Sequence, residues 1–233
     1  MNKSIVVKLS FFGPKIKKSE IAKILDKDEK GPYYEGIRER LEHFFGFPLD
    51  NLSSEILTRY IEVTTKDVHL QFMPSQNNII NRLLKPLKFA KKSYCFAEYT
   101  STIALCGIVG EMLAILIWKM HKITVKEKPI TEIQEEGLFG CKFEELNQFA
   151  CIKILRTLDC ITETQSGNFT KIRKKRNFYM HHWNIDLNKE KKDAKDIYKT
   201  TFRLYKKITD MKLDKTGNLI LDHLFLRFLQ NQH

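Results

Sequence analysis

Arg176, Asn177 and His181 carry the side chains needed to cut RNA without a metal. A 2′-hydroxyl attacking the adjacent phosphate must lose a proton, and the departing 5′-oxygen must gain one. An imidazole does both near neutral pH, so His181 is the candidate general base or acid. Negative charge builds on the phosphorus oxygens during that step, and the Arg176 guanidinium is suited to hold it. Asn177 lies four residues before His181, on the same helix face, where its amide could orient the imidazole. Arg176 and His181 are five residues apart, about 140° around a helix with 3.6 residues per turn. Either the long arginine wraps round the helix or a partner subunit supplies the complementary group. Arg173, Asn177 and His181 form one stripe, which makes Arg173 a second candidate cation, and His182 is the alternative imidazole.

The spacing alone selects little. Arg38 and His43 repeat it, and about one such match is expected by chance from this composition. Asn177 directly after the arginine distinguishes the later match. So does the basic run in which it sits, where Lys171, Arg173, Lys174 and Lys175, with His182, form a candidate RNA-binding surface. Such a run of lysines and arginine is more often a solvated helix face. Arg38 and His43 read as coincidence on an amphipathic helix.

The bulk composition agrees with a polyanionic partner. The chain has 233 residues, a formal net charge of +12 and 42% hydrophobic residues, enough for a sizeable core. Five cysteines, odd in number and without a CxxC pair, read as free thiols in a reducing cytoplasm and argue against zinc. No phosphate-cradling glycine loop, HExxH or Gly-x-Ser-x-Gly elbow occurs. The N-terminal apolar run is short and broken by Lys8, so no secretion signal is expected. Thr100 to Trp118 is long enough to span a bilayer. However, Glu111 near its middle and small residues at Ser101, Ala104, Gly107, Gly110 and Ala114 favour a buried core helix over a membrane span.

These residues need a scaffold, and the pattern predicts a mainly all-α one. Residues 1–74 read as a small mixed extension, with a short strand at Ile5–Phe12, helices at Ser19–Leu25 and Glu35–Phe45, and an untyped β-rich stretch at Ile56–Phe72. Residues 75–211 read as an up-and-down bundle of four to five helices. Its expected parts are a helix from Asn77 to about Lys92 that Pro86 could kink, a long apolar helix from about Ala97 to Ile123, and a loop or short irregular segment over Lys126–Gly140 containing Glu132, Glu135 and Glu136. A helix over Phe143–Thr164 should follow, turning Leu146, Phe149, Ala150, Ile152, Ile154, Leu155 and Leu158 inward. A break at Gln165–Asn168 should lead into the helix with the Arg-Asn…His element, and a charged amphipathic helix from Leu187 to about Met211 closes the bundle. Residues 212–233 read as an apolar tail packing on it.

The run Leu158…Phe169-x-x-Ile172-Arg173-x-x-Arg176-Asn177-x-x-x-His181, after a long helix carrying Glu111, resembles the signature of the HEPN superfamily over about residues 75–210. The resemblance implies a helical-bundle homodimer whose two motifs meet to form a composite endoribonuclease site, with no metal or other cofactor. It also implies RNA as partner, an antitoxin or defence-system protein as a further one, and no membrane. Some members are non-catalytic modules that bind RNA or protein, which is the alternative here. One toxin branch modifies a tyrosine two residues after the histidine; that position is Trp183 in this chain.

Overall fold

The architecture is organised around α5 (Tyr99–His121), apolar nearly all the way round. Such a helix is stable only surrounded by other apolar surface. In the computed structural model, which describes residues 12–26, 28, 31–64, 77–125, 128–182, 184–209, 212–213, 219–220 and 223–230, that surface is protein. Thirteen of its twenty-three residues are buried, including Ile103, Val109, Leu113 and Ile117. Around it pack α4 (Asn77–Cys95), α7 (Gln148–Thr157), α8 (Glu163–His181), α9 (Leu187–Thr209) and α10 (His223–Gln230). The helix long and apolar enough to cross a membrane is thus the core helix of the bundle.

The N-terminal region is helical rather than mixed over its described residues. It holds α1 (Ile21–Leu25), α2 (Pro32–Phe45) and α3 (Ser54–Val63). Proline at the first position of α2 and Gly46 at φ +83° after its end are the ordinary start and stop of a helix. Ser53, not the β-formers downstream, decides the type at 54–63, because its hydroxyl accepts from the Ile56 amide. All of the expected Ile5–Phe12 strand but Phe12, and most of the stretch after Val63, lie outside the described residues. Ser19 falls within a short 3-10 turn (Lys18–Glu20) that leads into α1.

This region has its own cluster, with Ile37, Leu41, Phe44, Leu57 and Tyr60 buried, and it is fastened to the bundle by polar bonds. Arg59 donates to the Cys95 carbonyl (2.6 Å) and Lys92 to that of Phe45 (3.0 Å). Buried Lys91 donates to the Phe12 carbonyl (2.6 Å), its ammonium 3.8 Å from the Tyr60 ring centre. Such a cation is tolerable in the interior because carbonyl and ring face replace its water.

Several expected boundaries move. Pro86 lies inside α4, which runs on to Cys95. The Lys126–Gly140 segment is not a loop over its described residues. The two-residue strand β1 (Thr124–Val125), just before it, pairs with β2 (Lys128–Pro129) inside it, and α6 (Glu132–Phe139) follows. Thr131 and Gln134 form a capping box that starts α6. Glu135 accepts from the Trp118 indole (2.8 Å) and the Phe143 amide (2.9 Å), so it fastens α6 to the core. The helix expected over Phe143–Thr164 divides into a 3-10 turn (Phe143–Glu145) and α7, capped by Asn147. Phe149 and Leu158, expected inward, are exposed. The tail holds β3 (Lys212–Leu213) paired with β4 (Leu219–Ile220), then α10, whose Phe225 and Phe228 are buried against the bundle.

Candidate nucleic-acid interface

α8 begins earlier than the glycine suggests. The chain breaks at Leu158–Ile161, where Asp159 takes φ +52°, and Thr162 and Gln165 then form a capping box. The Thr162 hydroxyl accepts from the Gln165 amide (3.3 Å), and the Gln165 side chain accepts from the Thr162 amide (2.8 Å). Two otherwise orphaned donors are satisfied, so the helix starts there and runs straight through Gly167. The expected break at Gln165–Asn168 is therefore wrong. A glycine costs a helix about 1 kcal/mol, and a good cap with nineteen residues to follow outweighs that.

Phe169, Ile172 and Tyr179 are the buried residues of α8, and their spacing puts Arg176 on the same face. Arg176 therefore points at α5 from a position where an apolar residue would be expected. Gly107 makes room for it. A Cβ there would lie 2.4 Å from Arg176 Cδ and 2.9 Å from Cγ, well inside van der Waals contact. One turn on, Glu111 accepts from the Arg176 guanidinium in an ion pair. The two side chains are 32% and 37% exposed, so the pair sits at the rim of the core and is reachable by solvent.

The remaining candidates divide by face. Arg173, Asn177 and His181 form the adjoining stripe, with Asn177 and His181 exposed and Arg173 half-buried. The Arg173 guanidinium stands 5.1 Å from the Phe149 ring centre. On the opposite side Lys171 pairs with Asp196 (2.6 Å) and Lys175 with Asp193 (2.7 Å), both on α9. Tyr179 also donates to Asp193 (2.8 Å). Burial pushes the Asp193 carboxyl up, but the bonds from Lys175 and Tyr179 outweigh it and hold the group below its ordinary value. Lys174 is exposed. His182 ends the helix, its Nδ1 2.8 Å from the Phe178 carbonyl and its ring stacked on Phe178 at 4.2 Å. Trp183 lies outside the described residues.

The candidates are thus not equivalent. Lys171 and Lys175 join α8 to α9, Lys174, Asn177 and His181 face outward, and half-buried Arg173 lies against Phe149. Arg38, at the other occurrence of the spacing, donates to the carbonyls of Ile24 (3.0 Å) and Lys23 (2.8 Å) and so closes the end of α1. That occurrence is structural.

An open cavity of about 470 Å³ lies beside the stripe, between α5, α7 and α8. Arg173, Arg176 and Asn177 line it together with Glu111, Gln148 and Phe149. Gln148 was not legible as a site residue, since it stands at the first position of α7, where a polar residue is ordinary; its burial appears only in the packed structure. Among the described residues no three His, Cys, Asp or Glu side chains gather into a metal-holding group. No protein-family model, curated protein or solved structure matches this chain.

Proposed function

We propose that this chain is a metal-independent endoribonuclease of HEPN type, working as a homodimer with a composite site. The observation that carries the reading is the placement of Arg176. Its guanidinium is held by Glu111 at the rim of the core, beside the exposed stripe of Asn177 and His181. An arginine fixed at its stem and reachable at its tip is pre-organised to receive charge developing on phosphate. In the reaction O2′ bonds to phosphorus as its proton passes to one imidazole, and the P–O5′ bond breaks as O5′ takes a proton from another. The products are a 2′,3′-cyclic phosphate and a 5′-hydroxyl. His181 of one copy serves as base and that of the second copy as acid, with Arg176 on the non-bridging oxygens. The 140° between Arg176 and His181 on one helix favours this shared arrangement over a site within one subunit.

Cleavage of a labelled oligoribonucleotide in EDTA tests the reading. Wild type should cut, while His181→Ala and Arg176→Ala should each lose at least about a hundredfold in rate, the usual worth of a proton-transfer group for the first and of a charge-stabilising donor for the second. His181→Ala should keep the wild-type circular dichroism, because His181 is exposed. A wild type that cuts no RNA defeats the proposal.

A second reading is favoured by one specific observation. Arg176 already has a carboxylate partner in Glu111, and Lys171 and Lys175 have theirs in Asp196 and Asp193. A non-catalytic RNA-binding module would use the outward stripe alone. It predicts salt-dependent binding without turnover, weakened by Arg173→Ala with Lys174→Ala and unaffected by Lys171→Ala.

A further inference from the structure

The cavity between α5, α7 and α8 contains an unexplained polar group. Gln148 is only 7% exposed, and neither its amide nitrogen nor its amide oxygen has a hydrogen-bond partner. Its amide lies against Gly110 of α5, where a Cβ would come within 2.9 Å of the nitrogen. Arg173 Nε is likewise buried without a partner. Leaving buried donors and acceptors unmade destabilises a fold, so a chain that keeps a glutamine here has some other use for it. At the open side of the same cavity Phe149 is 58% exposed, with the Arg173 guanidinium against its ring.

We propose that this cavity is a nucleobase pocket, in which the Gln148 amide turns away from Gly110 to read a base edge and Phe149 with Arg173 holds the base plane. A primary amide offers a donor beside an acceptor, the pattern that pairs bidentately with a base edge. An aromatic ring and a guanidinium are the two planar surfaces on which unpaired bases stack. The charge balance selects a base over a bare anion. The lining carries two carboxylates, Glu111 and Glu144, and two guanidiniums, Arg173 and Arg176, so its formal charge is zero. Phosphates are better served outside, along Arg173, Lys174 and His181. The pocket rests on reading α8 as an RNA-facing helix and does not depend on cleavage.

The shared chemistry, a base next to a phosphate, could come from an RNA chain or from a free nucleotide. The test is binding of fluorescent 2′-O-methyl hexamers of A, C, G and U, which have no free 2′-hydroxyl and so cannot be cut by the proposed route. Competition by the four ribonucleoside monophosphates forms the second arm. Wild type should prefer one hexamer by roughly tenfold, the worth of one bidentate contact. Gln148→Met, similar in length but unable to pair bidentately, should level that preference. Its melting temperature should not fall, since two unsatisfied atoms are removed. Phe149→Ala, at an exposed site, should weaken every hexamer about tenfold. A monophosphate that displaces the preferred hexamer assigns the pocket to free nucleotides as well, and displacement by oligomer alone assigns it to RNA. Equal binding of all four hexamers, a preference that survives Gln148→Met, or no binding of any probe overturns the pocket. Base-selective binding with no cleavage of natural RNA leaves the pocket standing and removes the nuclease.

Discussion

Gly107→Ala sets two physical effects directly against each other. Helix propensity alone favours alanine by about 0.5–1 kcal/mol in the middle of a helix such as α5. The packing opposes it. The new Cβ would lie 2.4, 2.9 and 3.2 Å from Cδ, Cγ and Cβ of Arg176, so the obstruction reaches the base of the side chain and not only its flexible end. Either α5 and α8 part, at an overpacking cost of about 1–3 kcal/mol, or Arg176 swings away and forfeits its pair with Glu111. A pair this exposed is worth at most about 1 kcal/mol, so its loss is the smaller part. The net expectation is destabilisation by about 1–2 kcal/mol. For a chain of this size that lowers the melting temperature by roughly 2–8 °C. Thermal denaturation in two backgrounds isolates the cause. With Arg176→Ala the Cγ and Cδ atoms are gone, and Gly107→Ala should become neutral or stabilising, giving a coupling of about 1–3 kcal/mol between the two positions. A rise in melting temperature for Gly107→Ala alone, or the same shift in both backgrounds, would refute the placement of Arg176 against α5.

Other outcomes follow from the same geometry. Gly167→Ala, where a Cβ would meet nothing within 4 Å inside a continuous helix, should stabilise the protein by about 0.5–1 kcal/mol in urea titration, and a loss would restore the break once expected there. Thr162→Ala should cost about 1 kcal/mol and raise amide exchange over the first turn of α8. Asp193 is held below its unfolded value by Lys175 and Tyr179, so its contribution is fully present above about pH 4 and is lost as pH falls through the folded value. Asp193→Asn should therefore reduce stability at neutral pH and flatten that acid loss; an unchanged stability-versus-pH curve would discount the network. Burial pushes the Cys95 and Cys106 thiols up to about 12, so native thiol titration should leave both unmodified until denaturant is added, whereas the partly exposed Cys141 should react.

What could be read from the chain was what local pattern controls. α5 and α9 announce themselves by length and by apolar spacing, and their boundaries lie within a few residues of expectation. α8 was misread at its start because Gly167 is a visible interruption, while Thr162 and Gln165, three residues apart, are a quieter and stronger signal. α6 was missed because its outward face is unusually apolar, with Ile133 and Leu138 exposed, so no helical pattern stood out against a loop. The Arg-Asn…His spacing was visible as a residue pattern on one helix. That Arg176 occupies the buried face was not, because it depends on Gly107 and Glu111, more than sixty residues away and informative only once α5 and α8 are packed. Gln148 belongs to the same class, since its lack of a partner is a property of the assembled cavity.

Attack by the 2′-hydroxyl leaves its signature on the termini of the cut RNA. Mass spectrometry of an oligoribonucleotide incubated with wild-type protein in EDTA should find a 2′,3′-cyclic phosphate on one fragment and a 5′-hydroxyl on the other, with neither formed by His181→Ala. Intact RNA under those conditions, or fragments ending in 3′-hydroxyl and 5′-phosphate, would contradict cleavage by the 2′-hydroxyl with His181 and Arg176 as its agents.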